Sequence, residues 1–388
     1  MDFRTVDHLS GYRDEARAWV EGNVDPSWAG MQRSTGTHHS PALIKTLAGA
    51  GLLGAGWPIA YGGTEVPSGL ARCVFEEIAS IGVHLDGWST SQMVARTLLE
   101  VGTEEHKREF VRGVLEGRVT IALGYSEPDT GSDVAAASTR AVRHGDTWTI
   151  NGTKMFTSTA DASTHVFLLT RTNPDAPKHR GLTMFLVDVN GPGFECQPIH
   201  TLGGQRTNAT YYNDVSVPDV HRVGEVDGGW AVMRVALVHE RGLSGAVAGP
   251  TLAEQFVAWC REVPHAGSAL GWEDPRVRES LARIAIDTEV ARLLRARVGW
   301  VTDSGGLPAL EGSMAKLFAT EAAKRHYSAL LDLIGPDAVL QNDADAPLGA
   351  AIEYGLRNAV VGTIRGGASE IMREVIAERR LGLPRARP

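Results

Sequence analysis

The chain has 388 residues, of which 43% are hydrophobic and 22% are charged, a composition typical of a globular protein with two or three domains. The formal net charge of −8 argues against nucleic acid as a partner, because no basic stripe is available to contact phosphates. No apolar run approaches the roughly 20 residues of a membrane-spanning helix. Three scattered cysteines without a C-x-x-C pair, and the absence of a secretory leader, predict a cytoplasmic protein.

The predicted elements fall into three blocks. Residues 1–120 indicate helices, since apolar residues recur three and four apart. Residues 121–228 indicate short strands punctuated by Gly, Pro, Asn and Asp. Residues 229–388 return to the helical period. These blocks predict an N-terminal α-helical domain, a middle β-domain and a C-terminal helical bundle domain. The long helices of the last block are predicted at about 229–262, 274–303, 311–335 and 347–364, with a shorter one from 369.

Several motifs do not support a function. The stretch GAGLLG, residues 49–54, matches the dinucleotide-binding pattern G-x-G-x-x-G, but a helical segment precedes it where a strand is required. We therefore interpret it as the end of a helix. The 13 histidines and three cysteines form no metal-ligand spacing, so no metal site is predicted. Hydrolase, P-loop and kinase signatures are absent from the sequence.

Two segments of the β-block suggest a ligand site. In GYSEPDTGSD, residues 124–133, an apolar strand runs into a Ser- and Gly-rich turn, which fits either an anion-binding concavity or a plain turn between strands. In NGTKMFTSTA, residues 151–160, Asn-Gly predicts a hairpin turn. Phe156 then offers a flat apolar face beside the polar Thr157 and Ser158, as a planar heterocycle such as a flavin requires. An ordinary half-buried strand is the alternative.

A third segment carries two adjacent glycines. Gly366 and Gly367 stand directly before a helix predicted from Ser369. Because glycine costs roughly 1 kcal/mol in a helix interior, we expect another group to approach this backbone closely.

These segments together resemble the acyl-CoA dehydrogenase family over nearly the whole chain. GYSEPDTGSD and NGTKMFTS are similar to two of its signatures, and GTIRGGASEIMREVIAERRLGLPR is similar to its C-terminal signature. GAGWPIAYGG and GTEEHKREFV also stand where family members carry such segments. The resemblance implies an α+β fold: an N-terminal helical domain, a middle β-barrel-like domain and a C-terminal four-helix bundle, usually in a tetramer.

The resemblance also implies an activity. Family members bind FAD and oxidise an acyl-CoA thioester to the trans-2-enoyl-CoA, passing electrons to an electron-transferring flavoprotein. The backbone N–H at Gly366 would bind the thioester carbonyl, but most of the best-known members carry the catalytic Glu at this position. Some members take the base from the first bundle helix, which here offers Glu240.

The spacing around Glu240 fits a base. Glu240 shares a helical face with Met233, Ala236, Leu237, Leu243 and Val247. Burial in such an apolar stripe raises the pKa of a carboxyl group, which suits a general base. A surface Glu paired with Arg241 or Arg234 is the alternative.

The other roles implied by the resemblance divide between cofactor and substrate. The resemblance implies that the flavin is contacted by Tyr125, Ser126, Ser132, Phe156, Thr157, Ser158, Ala368 and Glu370. It implies that the substrate is contacted by Ser132, Arg241, Gly366 and Gly367.

Departures from the family pattern concern the subunit contacts. Asp274, Asp332 and Pro336 replace residues that in many members reach the FAD of a neighbouring subunit. Carboxylates are unfavourable beside a pyrophosphate. This pattern is similar to that of actinobacterial enzymes of steroid degradation that form α2β2 heterotetramers, and it implies an unlike partner chain, with a homotetramer as the alternative. An acyl-CoA oxidase and a non-catalytic partner subunit remain alternative functions.

Overall fold

The structure is a computed structural model that describes residues 9–243, 252–262, 274–306, 308–341 and 346–384. Its contacts divide the chain into two compact units. The first unit holds the described residues up to Leu243, except for the turn Leu202–Gly204. The second unit holds that turn and the described residues after Leu243.

The first unit begins with helices, as predicted for this block. Ser40 caps the third of them by accepting a hydrogen bond from the Leu43 N–H at 3.3 Å. That helix ends at Gly49, and residues 9–49 contain no strand, so the interpretation of GAGLLG as a helix end is confirmed. The helices are α1 (Ser10–Asn23), α2 (Ser27–Thr35), α3 (Pro41–Gly49), α4 (Ser68–Ser80), α5 (Asp86–Val101), α6 (Glu104–His106) and α7 (Arg112–Leu115), the last two joined by π-helical Lys107–Val111.

A mixed sheet follows the helices. Its strands are β1 (Ile121–Gly124), β2 (Arg140–His144), β3 (Thr147–Lys154), β4 (His165–Arg171), β5 (Leu182–Asp188), β6 (Phe194–His200), β7 (Arg206–Pro218) and β8 (Arg222–Val223). Their order is β6-β7-β3-β2-β4-β5-β8, and β1 lies parallel to β4. Most neighbouring strands are antiparallel, and β2 pairs with β4 in parallel at a single residue pair.

Strands β4 and β5 are buried on both faces. Phe167 and Leu169 join a core with the N-terminal helices, while Val166 and Leu168 face a second core. That second core also receives side chains from β3, β5 and β7, so the sheet curves around it. Burial on both faces explains why these strands read as continuous apolar runs. The architecture of helices followed by a sheet domain and then helices confirms the predicted fold class.

Two details of the β-block differ from the sequence interpretation. Asn151 and Gly152 do not form a hairpin turn; they lie inside β3, where the pairing with β7 shifts register as at a β-bulge. Strand β2 was not predicted, because its sequence RAVRH has only two apolar residues. The turn between β2 and β3 is formed by Gly145 and Asp146 instead.

Helix α8 (Gly229–Leu243) packs on α5 and β5 and so belongs to the first unit. The helices of the second unit are α9 (Leu252–Glu262), α10 (Pro275–Asp303), α11 (Ala309–Ile334), α12 (Ala351–Gly362) and α13 (Ser369–Leu381). Helix α11 is central and packs against α10, α12 and α13. The single helix predicted at 229–262 is thus described as α8 and α9, and residues 244–251, including Val247, lie outside the described part. Within the described residues, no helix is long and apolar enough to cross a membrane.

Candidate functional site

The two segments that suggest a ligand site lie side by side. The Met155 N–H donates to the Ser126 carbonyl at 2.9 Å. The Lys154 Nζ donates to the Tyr125 carbonyl at 3.1 Å. These two bonds join the end of β3 to the residues that follow β1, although the segments are almost thirty positions apart in sequence.

A buried ion pair supports this junction. Lys154 Nζ lies 2.8 Å from Glu127 Oε1, and both side chains are almost fully buried. The Glu127 carboxylate also accepts hydrogen bonds from the Ser138 N–H at 2.7 Å and the Thr139 N–H at 2.8 Å. The turn GYSEPDTGSD and the residues after it therefore do surround an anion with N–H donors, but that anion is the chain's own carboxylate.

Charge and burial oppose each other in this pair. Burial alone would raise the pKa of Glu127, but the charge and hydrogen bond of Lys154, with Ser138, lower it to about 2. Burial lowers the pKa of Lys154 to about 8 in spite of Glu127. Because each charge pays a desolvation penalty, the pair contributes more to fixing one arrangement than to net stability.

Phe156 is exposed to solvent and is not packed in a core. Its side chain is 62% exposed, and its φ of 59° lies in the left-handed region that non-glycine residues rarely adopt. Thr157 is fully buried, and its hydroxyl bonds to that of Thr210 at 3.2 Å, so a ligand would meet only its backbone. Ser158 is exposed, and its hydroxyl lies 3.0 Å from that of Thr207. The exposed ring of Phe156 is therefore followed by two residues whose hydroxyl groups are held by hydrogen bonds to β7.

Glu240 lies on α8, beyond the buried Met233 and Ala236 on the same face. Its own side chain is half-buried. One turn earlier, Leu237 packs against the core that also contacts Tyr125. The apolar stripe predicted for this helix is therefore present as far as the described residues extend.

Tyr125 carries a buried hydroxyl group with no hydrogen-bond partner in the described structure. Its ring lies 6.3 Å from that of Phe167. Burial, and then the negative charge of Glu240, hold the pKa of Tyr125 well above its usual value. An unsatisfied buried hydroxyl is costly, so the hydroxyl beside Glu240 is a natural contact for a bound ligand.

Two neighbours of Glu240 complete the description of α8. The His239 Nε2 lies 2.7 Å from Glu100 Oε1 and so ties α8 to α5. The side chain of Arg241 lies outside the described residues. Ser132 is exposed in the loop after Tyr125.

In the second unit, both glycines of the Gly-Gly turn have left-handed backbones. Gly366 has a φ of 66° and Gly367 a φ of 93°, and a Cβ on Gly367 would lie 2.6 Å from the Met372 Cε. Backbone conformation therefore accounts for the two glycines, in addition to any close approach. The Lys316 ammonium group donates to the Gly367 carbonyl. The Ser369 N–H closes the turn on the Thr363 carbonyl at 2.9 Å.

The remaining predicted residues begin α13. Ala368 directly precedes the helix, and Glu370 is exposed in its first turn. The two units each hold part of the predicted site: Gly366, Gly367, Ala368 and Glu370 belong to the second unit, and the other predicted residues to the first.

Sequence reasoning missed a cluster of three potential metal ligands. The ligand atoms of His38, His84 and Asp86 lie within 4.8 Å of one another. The two imidazole rings are stacked, with centroids 4.3 Å apart and planes 8° from parallel. The lone pairs of parallel, stacked rings lie in separate planes and do not converge on one ion, so this geometry favours stacking over metal binding.

The missed Glu127–Lys154 pair had a signal in the sequence. Alternate residues of β3 point toward the protein interior: Trp148 and Ile150 are buried, and Lys154 lies on the same face of the strand. A lysine at an inward position requires a buried carboxylate partner.

Comparisons with known proteins give one consistent result. Residues 7–118, 122–215 and 227–381 match the models of the acyl-CoA dehydrogenase N-terminal, middle and C-terminal domains. The acyl-CoA dehydrogenase FadE26 of Mycobacterium tuberculosis is 36% identical over 348 residues, which cover 87% of this chain and 86% of that protein.

Two similar solved structures each carry the names of two proteins. The Tcur3481-Tcur3483 steroid ACAD is 34% identical with a TM-score of 0.89, and coverage is 100% of both chains. The ChsE4-ChsE5 complex from Mycobacterium tuberculosis is 33% identical with a TM-score of 0.85, again with 100% of both chains covered.

Replacing Lys154 tests the buried pair. We expect Lys154→Met to lower the free energy of unfolding by about 3–5 kcal/mol, because it leaves the Glu127 charge buried and uncompensated. Urea unfolding measures the change. Lys178→Met is the matched control: its partner Asp133 is exposed, so the loss there should stay below about 1 kcal/mol. The double variant Glu127→Gln, Lys154→Met should lose less than Lys154→Met alone. If Lys154→Met and Lys178→Met lowered the free energy of unfolding equally, the buried charge of Glu127 would not depend on Lys154, and the prediction would be wrong.

Replacing Tyr125 tests its hydroxyl. We expect Tyr125→Phe to leave the ligand-free chain as stable or slightly more stable, because an unsatisfied group is removed. Affinity for FAD or for an acyl-CoA should fall about 3- to 10-fold, the range of one neutral hydrogen bond. Thermal unfolding and equilibrium titration measure the two effects. Tyr211→Phe, a partly exposed tyrosine on β7, is the control. Unchanged affinity for both ligands would show that neither contacts the hydroxyl.

Proposed function

This chain belongs to the acyl-CoA dehydrogenase family, and we propose that it oxidises an acyl-CoA thioester to the trans-2-enoyl-CoA with FAD as cofactor. Membership makes it an oxidoreductase that acts on acyl-CoA. The observation that carries the finer proposal is the placement of Glu240 on the apolar face of α8, where its charge acts on the buried Tyr125 hydroxyl. Such a carboxylate is suited to accept a proton from carbon.

The residues present fit a flavin. Phe156 offers an open aromatic face, the exposed Ser158 offers a hydroxyl beside it, and Tyr125 holds an unsatisfied hydroxyl nearby in the fold. These groups suit a flat ring with polar edges. When bound, FAD supplies an acceptor for the hydride that leaves the β-carbon. The further flavin contacts that we propose are Ser126, Ser132, the backbone of Thr157, Ala368 and Glu370.

The chain's own residues perform the proton transfer. The Glu240 carboxylate takes the proton from the α-carbon as the bond to hydrogen breaks and the electron pair forms the new C=C bond. The Gly366 N–H donates to the thioester carbonyl, whose negative charge grows as the proton leaves. Lys316 orients this turn through the Gly367 carbonyl. Ser132 and Arg241 are further proposed substrate contacts.

A bulky acyl group is the proposed substrate. Gly366 has no side chain where most of the best-known members carry the catalytic Glu, so more room is available beside the substrate. A similar solved structure is titled a steroid ACAD. Branched or ring-bearing acyl groups are therefore better candidates than straight medium-length chains. An electron-transferring flavoprotein is the proposed electron acceptor, as the family resemblance implies.

The proposed assembly contains an unlike partner chain. The Asp274 carboxylate caps α10 and pairs with Arg276, so a carboxylate stands at this position. Asp332 is exposed on α11. Exposed apolar residues on α10, Ile286 at 63% and Trp300 at 50%, support contact with another chain. Two similar structures each carry the names of two proteins.

Glu240→Gln is the experiment that tests the function. The wild-type protein, alone or with its partner, should show an oxidised-flavin spectrum that an acyl-CoA bleaches under anaerobic conditions. Glu240→Gln should keep flavin binding while the bleaching slows by roughly 100-fold or more, as expected when a general base is lost. Stopped-flow absorbance measures both.

Glu225→Gln is the matched control for that experiment, because it removes an exposed carboxylate shortly before α8. It should leave the reduction rate unchanged. A colourless protein that takes up no FAD in any state would refute the flavin proposal. Bleaching by Glu240→Gln at the wild-type rate would instead refute only the role of Glu240.

The partner proposal predicts a flavin stoichiometry. Co-expression with a second acyl-CoA dehydrogenase-like chain should give a stable complex with fewer FAD molecules than chains, because Asp274 and Asp332 oppose phosphate binding. Native mass spectrometry with flavin extraction measures the ratio. A fully active homotetramer with one FAD per chain would contradict it.

A further inference from the structure

Arg96 on α5 has no counter-charge among the described residues. Its guanidinium carbon lies 4.6 Å from the centre of the Trp57 ring. Among the residues that the structure describes, it forms no ion pair and donates no hydrogen bond. Burial alone lowers the pKa of Arg96, and no charged neighbour contributes. A half-buried guanidinium whose five N–H donors meet no acceptor in the described part of the chain is available to an acceptor on another molecule.

Trp57 is a rigid platform for this cation. Its side chain is buried, and its backbone N–H donates to the Gly54 carbonyl at 3.1 Å. The Gly63 N–H donates to the Pro58 carbonyl at 3.0 Å, and a Cβ on Gly63 would lie 1.9 Å from the Trp57 carbonyl oxygen. The stretch GAGWPIAYGG therefore folds into a tight loop that fixes the indole. A guanidinium over an aromatic face keeps its N–H edge available for a second ligand.

The position of Arg96 relates it to the candidate base. Gln92, Arg96, Leu99 and Glu100 are among the residues of α5 that are not fully buried. Glu100 contacts His239 on α8, directly before Glu240. Arg96 precedes Glu100 by one helical turn, about 6 Å along the axis. The unpaired cation thus lies within one turn of the point where α5 meets the helix of Glu240.

We propose that Arg96 binds a carboxylate carried by the acyl group of the substrate, so that this protein prefers acyl-CoA thioesters with a second acidic group. The inference rests on the proposed function and narrows its substrate class. A guanidinium matches a carboxylate by two parallel hydrogen bonds, and this pairing restores the charge balance that the chain leaves open. Phosphate oxygens of the CoA offer the same chemistry, so the experiment must separate the two sources.

The test compares two thioesters of equal length, one with a terminal carboxylate and one with its methyl ester, on the flavin-loaded protein with its partner. Wild type should have a higher kcat/KM for the acid. Arg96→Gln should lose roughly 10- to 100-fold with the acid and change less than about 2-fold with the ester. Arg96→Lys should recover part of the loss, because it keeps the charge without the fork. Arg108→Gln, an exposed arginine on the π-helical segment, should change neither rate.

A third arm uses the same two thioesters built on dephospho-CoA. If the arginine bound the 3′-phosphate of CoA, Arg96→Gln would affect acid and ester equally on CoA and neither on dephospho-CoA, which would overturn the proposal. Equal losses with acid and ester on both carriers would assign Arg96 to the CoA pyrophosphate or to a purely structural role, and would overturn it too. Failure of wild type to oxidise either thioester would count against the proposed function instead. Calorimetric titration with both thioesters still decides the inference in that case: tighter binding of the acid that disappears in Arg96→Gln supports it, and equal binding refutes it.

Discussion

Glu127 and Lys154 are opposite charges buried together where the two candidate ligand-binding segments meet, and neither is stable there without the other. Their side chains reach backbone groups on both sides: Lys154 holds the Tyr125 carbonyl, and Glu127 holds the N–H groups of Ser138 and Thr139. The strand that ends at Lys154 leads directly into Phe156. The pair therefore fixes the relative positions of the open aromatic face and the residues after β1.

The charges around the candidate base are arranged by burial. Glu240 is the negative group that the buried Tyr125 hydroxyl senses, and His239 beside it is bound to Glu100. Arg96, one turn before Glu100, is a positive group with no partner in the described chain. In our proposal, a carboxylate of the substrate pairs with this cation on α5, and Glu240 on α8 acts as the base.

Local sequence patterns predicted the helices and strands whose formation depends on the spacing of nearby residues. Helical spacing predicted the apolar face of α8 and the position of Glu240 on it, and continuous apolar runs predicted β4 and β5. Interactions that join distant segments were not predicted: Glu127 with Lys154, and Arg96 with Trp57, depend on how strands and helices are placed in three dimensions.

Backbone conformation was a second limit of the sequence analysis. Asn151–Gly152 has the composition of a hairpin turn but lies in a bulge, because β3 continues to pair with β7 on both sides. The two glycines at 366 and 367 suggested a close approach of the substrate, whereas their positive φ values already require glycine. A carboxylate side chain at 366 would also carry the strain of a left-handed backbone, which agrees with a base supplied from α8.

The central claim is that the α-proton of the substrate leaves to Glu240. Hydrogen exchange at the α-carbon measures this step directly. The flavin-loaded complex is incubated anaerobically with an acyl-CoA in D2O, and deuterium in the recovered thioester is determined by mass spectrometry. The account predicts that the wild-type protein introduces deuterium at the α-carbon and that Glu240→Gln, with its flavin still bound, introduces at least about 100-fold less in the same time. Exchange by Glu240→Gln at the wild-type rate would contradict it.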